Sequence, residues 1–138
     1  MLSGQKTDST LAVLLLFFSA TNVKQTNGSP ETLSTVNILL KSQEMKSLGG
    51  DLYTPTMDDY KQKCPSETLM CYAAEMHVLV LEVKRPLMKR LEVQLLQLKD
   101  THMNNPKCAI CESYSLKPPI EFLTTLLGIL EHINAVSA

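Results

Sequence analysis

Four cysteines, at positions 64, 71, 108 and 111, constrain this chain more than any other feature. Pro65 directly after Cys64 reads as the first residue of a helix with the cysteine at its cap. Cys71 then lies about 10 Å further along that helix, at about 1.5 Å per residue. A direct bond is excluded, because bonded cysteines hold their Cα atoms within about 7 Å. The first pair must therefore bond to the second: either Cys64 to Cys108 and Cys71 to Cys111, or the reverse. Each bond closes a loop of about forty residues, worth on the order of 4 kcal/mol in the chain-entropy model, although the two are not additive.

The start of the chain supports this use of the thiols. An apolar run from Leu11 to Phe18 is followed by Ser19, Ala20 and Thr21. Eight residues cannot span a bilayer but suit the core of a signal peptide. Lys6 is offset by Asp8, and Phe18 interrupts the small-x-small cleavage pattern. The expected organisation is a secretory signal peptide over residues 1–22 and one domain over residues 23–138. Behind such a leader, four cysteines read as two disulfides in a secreted, extracellular protein. The rival is a small thiol-redox or metal-binding module using Cys108 and Cys111. Zinc ribbons favour two short knuckles, whereas Cys64 and Cys71 stand seven positions apart. A redox pair needs a strand before it, whereas Asn104-Asn105-Pro106 reads as loop. No metal, cofactor or catalytic residue is expected.

A length of 138 residues suits one domain, and a formal net charge of -1 gives no sign of nucleic-acid or other polyanion binding. Apolar spacing predicts four helices, near residues 31–48, 65–85, 87–101 and 119–135. The first carries Leu33, Val36, Leu40, Met45 and Leu48, opens at Ser29-Pro30 and ends at Gly49-Gly50. Asp51 to Lys63 reads as extended. Leu69, Tyr72, Met76 and Val83 define the second helix. Pro86 either starts a third or kinks the second, and Leu87, Leu91, Leu95 and Leu98 follow. Phe122, Leu126, Ile129 and Ile133 line the last helix, with Leu123, Leu127 and Leu130 widening its face. The first and third links have roughly fifteen residues, enough to run the length of a helix at about 3.3 Å each, while the second is short. Two long links and one short one predict an all-α, up-up-down-down four-helix bundle with two long crossover loops.

Leu52-Tyr53-Thr54, Cys64-x6-Cys71 and Tyr72-x-x-Glu75-Met76-x-Val78-x-x-Leu81-Glu82 resemble the interleukin-15 family. The run Cys108-Ala109-Ile110-Cys111-Glu112-Ser113-Tyr114, followed by Lys117-Pro118-Pro119-Ile120-Glu121-Phe122-Leu123, is similar to both interleukin-15 and interleukin-21. The resemblance covers about Leu52 to Asn134, and the first helix is only loosely similar. It implies a secreted cytokine of the interleukin-2, -15 and -21 group that stimulates lymphocyte proliferation. An interleukin-21-like or interleukin-2-like cytokine is the alternative within the group. The resemblance also favours Cys64–Cys108 and Cys71–Cys111. The implied partners are an alpha receptor and the shared beta and common gamma chains, bound by a monomer that meets membranes only through them.

The resemblance extends to particular positions. Glu75 and Glu82 match acids that hold the alpha receptor, and Tyr53 matches a tyrosine there. Seven residues apart, the two glutamates share one helical stripe, where each carboxylate can accept a bidentate arginine. They are expected to be exposed, with no internal Arg or Lys engaging both. Glu131 stands where the family has a glutamine against the common gamma chain. Glu92 matches an acid near the beta-receptor contact, while Lys89 or Arg90 replaces another. Asn27-Gly28-Ser29 is the glycosylation sequon. His77, His102 and His132 have no ligand spacing, and the methionines read as packing or loop residues. A lipid-carrying bundle is a third possibility, given the aliphatic core and the lack of Trp.

Overall fold

Prolines and left-handed turns set most of the helix boundaries in the computed structural model, which describes residues 28–137. Helix α1 spans Gly28–Leu40. The periodicity predicts that it continues to residue 48, but the chain turns at Lys41-Ser42 and a separate helix α2 covers Gln43–Ser47. Ser42 is the cause: its backbone is extended and its hydroxyl accepts the Met45 N–H at 3.3 Å, capping a new helix. The apolar pattern survives the break because Met45 still reaches the core. Gly50, with φ of 85°, then takes the left-handed turn that glycine permits.

The link that reads as extended holds strand β1, Leu52–Tyr53, and a helix α3, Met57–Lys61, that periodicity does not reveal. The missed signal was Thr56-x-x-Asp59. The Thr56 hydroxyl accepts the Asp59 N–H, and the Asp59 carboxylate accepts the Thr56 N–H at 2.7 Å, forming a capping box.

Helix α4, Pro65–Val83, begins with Cys64 at its cap and Pro65 in its first turn. It ends at Lys84, whose φ of 59° is left-handed. Pro86 therefore opens a separate helix α5, Pro86–Lys99, and does not kink α4. After the second long link come a 3-10 turn at Cys111–Ser113, strand β2 at Leu116–Lys117 and helix α6 at Pro119–Ser137. The strands pair antiparallel, Leu52 opposite Lys117 and Tyr53 opposite Leu116, so the two crossings are tied together.

Helix α4 packs chiefly on α5, while α1 packs on α6 and α5. The two major helices consecutive in sequence, α1 and α4, are not close neighbours. This is the up-up-down-down bundle. Both disulfides join α4 to the second crossing, Cys64–Cys108 with Cα atoms 5.9 Å apart and Cys71–Cys111 with 5.2 Å. That pairing is the one the resemblance implied. With every cysteine bonded, no thiolate remains for the redox or zinc reading.

The core gathers Val36, Leu39, Leu69, Tyr72, Met76, Leu79, Leu91, Leu95, Phe122, Leu126 and Ile129. Tyr72 and Phe122 meet with ring centroids 4.8 Å apart. The Tyr72 hydroxyl donates to the Pro55 carbonyl at 2.6 Å, satisfying a buried polar group and fixing the first crossing on α4. Tyr72→Phe keeps the ring but orphans that carbonyl. It should lower the unfolding free energy by about 1–3 kcal/mol in denaturant titration. Burial first, and the charge of Asp59 second, push the Tyr72 pKa up. The neutral phenol is thus favoured in the folded state. Its stabilising effect is complete below the unfolded tyrosine pKa of about 10 and is lost progressively above it.

Candidate functional site

Strand β1 lies against α4 and brings Tyr53 to the helical acids. The Tyr53 N–H donates to Glu75 Oε1 at 2.9 Å, and both residues are half-buried. This corrects the expectation that Glu75 is exposed. One of its carboxylate oxygens terminates the strand's hydrogen bonding, because a two-residue strand leaves backbone donors beyond its single partner. The bond also fixes the side chain, so the second oxygen is presented in one orientation. Glu82, almost two turns further along, is exposed and makes no ion pair among the described residues. Arg85, the nearest arginine in sequence, is engaged by Glu44 at 2.7 Å. Among the described residues, no Arg or Lys is paired with either glutamate.

The same face contains two residues of the family-like motif to which the sequence assigned no binding role. Val78 is 42 % exposed and Leu81 62 % exposed, an unusual placement for large aliphatic groups on a packed helix. At positions 75, 78 and 82, three and four residues apart, side chains fall on one stripe, with Leu81 beside it. The missed signal was the surplus of apolar positions in α4. Leu69, Tyr72, Met76 and Leu79 already fill the buried stripe, so Val78 and Leu81 had nowhere to go but the surface.

Glu131 lies exposed on α6. Glu92 is different: it is buried between α4 and α5, where its carboxylate meets His77 Nδ1 at 3.1 Å and Lys89 Nζ at 3.2 Å. Both oxygens are thus engaged within the molecule, and the groups at the surface there are the exposed Lys89 and Arg90. Asn27 and the signal-peptide expectation lie outside the described residues. Among the described residues, no helix is long and apolar enough to cross a membrane. No cluster of side chains there could hold a metal ion.

Fixed charge and exposed aliphatic groups on a rigid helix suit recognition of another protein. The bundle's connectivity and its two disulfides are those of a four-helix cytokine. A family model described as Interleukin 15 matches residues 9–134 of the 138-residue chain, and the chain belongs to that family. No curated protein and no solved structure gives a match. The family is one of signalling ligands, and its partners are cytokine receptors.

Proposed function

We propose that this cytokine is secreted and binds an alpha receptor through Tyr53, Glu75, Val78, Leu81 and Glu82. It presents other faces to the shared beta and common gamma chains and thereby stimulates lymphocyte proliferation. The observation that carries the reading is the acidic stripe on α4, with Glu75 held by the Tyr53 backbone and Glu82 unpaired among the described residues. Two carboxylates around an aliphatic centre suit a basic receptor surface. The aliphatic groups supply desolvated contact area, and the acids supply steering and register. Binding of the purified chain to separate alpha, beta and common gamma ectodomains is the direct test. Failure to bind alpha, or alpha binding unaffected by Glu82→Lys, would reject the assignment.

The common gamma contact is proposed for α6 around Glu131. A carboxylate there accepts hydrogen bonds but cannot donate one, as the family's glutamine can. Glu131→Gln should therefore tighten common gamma binding by about fivefold, the equivalent of one hydrogen bond of about 1 kcal/mol. Surface plasmon resonance on that ectodomain measures it. Weaker binding after the substitution would mean that this receptor meets the acid with a cation. For the beta chain, the commitments of Glu92 to His77 and Lys89 leave the exposed Arg90 as the charge beside it with no ion pair among the described residues.

A further inference from the structure

A second concentration of charge lies at one end of the bundle, away from the acidic stripe on α4. Tyr60, Lys61, Lys63, Pro65, His102, Met103, Asn104, Asn105 and His132 line an open cleft of about 630 Å³, a volume typical of ligand sites. It brings together α3, the start of α4, the loop after α5 and the last turns of α6. Its lining has two lysines, two histidines and two asparagines, but no carboxylate. In a chain whose formal net charge is -1, this segregation is visible only once the chain is folded.

The cleft is held in shape from within. Tyr60 links its two histidines, with its hydroxyl 2.8 Å from His102 Nε2 and its ring edge-on to both His102 and His132. His102 Nδ1 lies 2.8 Å from the Leu98 carbonyl, so that nitrogen carries a proton and Nε2 accepts from Tyr60. Asn105 donates its side-chain amide to the Lys63 carbonyl at 3.2 Å, and Lys63 holds a left-handed φ of 69°. These bonds leave the Lys61 and Lys63 ammonium groups, the Asn104 amide and the His132 ring nitrogens without a hydrogen-bonded partner among the described residues. Of the acids nearest the lining, Asp59 caps α3, Glu67 accepts the Asn105 N–H at 2.7 Å, Asp100 pairs with Lys99 at 3.1 Å, and Asp58 and Glu131 are exposed outside the lining.

We infer that this cleft binds the sulfate groups of a linear sulfated polysaccharide. Several donors and cations line the cleft and no carboxylate does, which favours an oxyanion. Lys107 is exposed on the same loop, two residues beyond Asn105. A chain with repeated sulfate esters can reach these separated cations together, whereas a single small anion meets only a few. Met103 is the one large apolar side chain exposed in the lining, too little for a lipid surface or a protein interface. The inference does not depend on the receptor assignment, since neither Glu75 nor Glu82 takes part.

The test uses the purified, disulfide-bonded chain with a size-defined heparin oligosaccharide, followed by NMR and calorimetry. The oligosaccharide should shift the His132 ring and Asn104 amide signals and bind more weakly as salt rises. Lys61→Gln with Lys63→Gln should weaken it by roughly tenfold, while circular dichroism and receptor binding remain those of the parent. Lys63→Gln retains the backbone carbonyl that Asn105 uses, so the cleft keeps its shape. Desulfated heparin should not bind. Equal affinity for desulfated heparin, equal affinity for inorganic sulfate, or undiminished binding by the double variant would each overturn the assignment.

Discussion

Replacing Cys71 and Cys111 together by Ala should lower the unfolding free energy by about 4 kcal/mol, the chain-entropy value for a loop of this length. Removing Cys64 and Cys108 should cost about as much by that entropy, but less through packing. Cys71 is buried on α4, whereas its counterparts at 64, 108 and 111 are partly exposed. The first substitution therefore also disturbs the contact between the helix and the 3-10 turn at Cys111–Ser113. Small domains have only about 5–15 kcal/mol in total, so one bond is a large fraction. The apparent melting temperature should fall by roughly 20 °C. Guanidinium titrations followed by circular dichroism measure both effects. A loss below about 1 kcal/mol would mean that the helical core alone holds the second crossing.

The fold was largely legible because its determinants are local or covalent. The prolines at 65, 86 and 119 each open a helix, and the apolar stripes of α4 and α6 run unbroken through their cores. Helix α1 was misjudged in length because apolar spacing does not register a serine turning the backbone. Val36, Leu39 and Met45 all reach the core on either side of the break at Ser42. Helix α3 was missed for the complementary reason. It has no buried residue of its own, so it leaves no apolar stripe, and only the capping pair Thr56 and Asp59 marks it.

The candidate site was only partly legible, and the misses share one physical cause. A sequence shows which residues carry charge but not which charges are already satisfied. Glu75, Glu82 and Glu92 look alike as exposed acids on helices. In the fold, Glu82 is unpaired among the described residues, Glu75 shares one oxygen with a strand N–H, and Glu92 is enclosed by His77 and Lys89. The basic cleft goes further: Lys61, His102 and His132 are scattered in sequence and meet only through tertiary packing. Val78 and Leu81 were concealed among the many apolar residues of α4, whose buried positions could be separated from exposed ones only by packing the helix.

Reversing both acids on α4, Glu75→Lys with Glu82→Lys, should abolish alpha-receptor binding, with a loss exceeding a hundredfold. Removing one member of a desolvated charged pair costs about 2–5 kcal/mol, and reversal adds repulsion to that loss. The two changes should differ in their structural cost. Glu82→Lys alters an exposed position and should shift stability by less than about 0.5 kcal/mol. Glu75→Lys strands the Tyr53 N–H and should cost about 1–3 kcal/mol, loosening β1 and the tyrosine it presents. Glu75→Gln separates the roles, because the amide oxygen still accepts from Tyr53 while the charge is gone. It should preserve the melting temperature yet weaken binding and flatten its salt dependence, since screening acts on the charge and not on the shape. Calorimetry, together with binding at low and moderate ionic strength, resolves the three variants. Unchanged low-salt binding by the double reversal would reduce Glu75 to a strand anchor and Glu82 to a solvated surface charge.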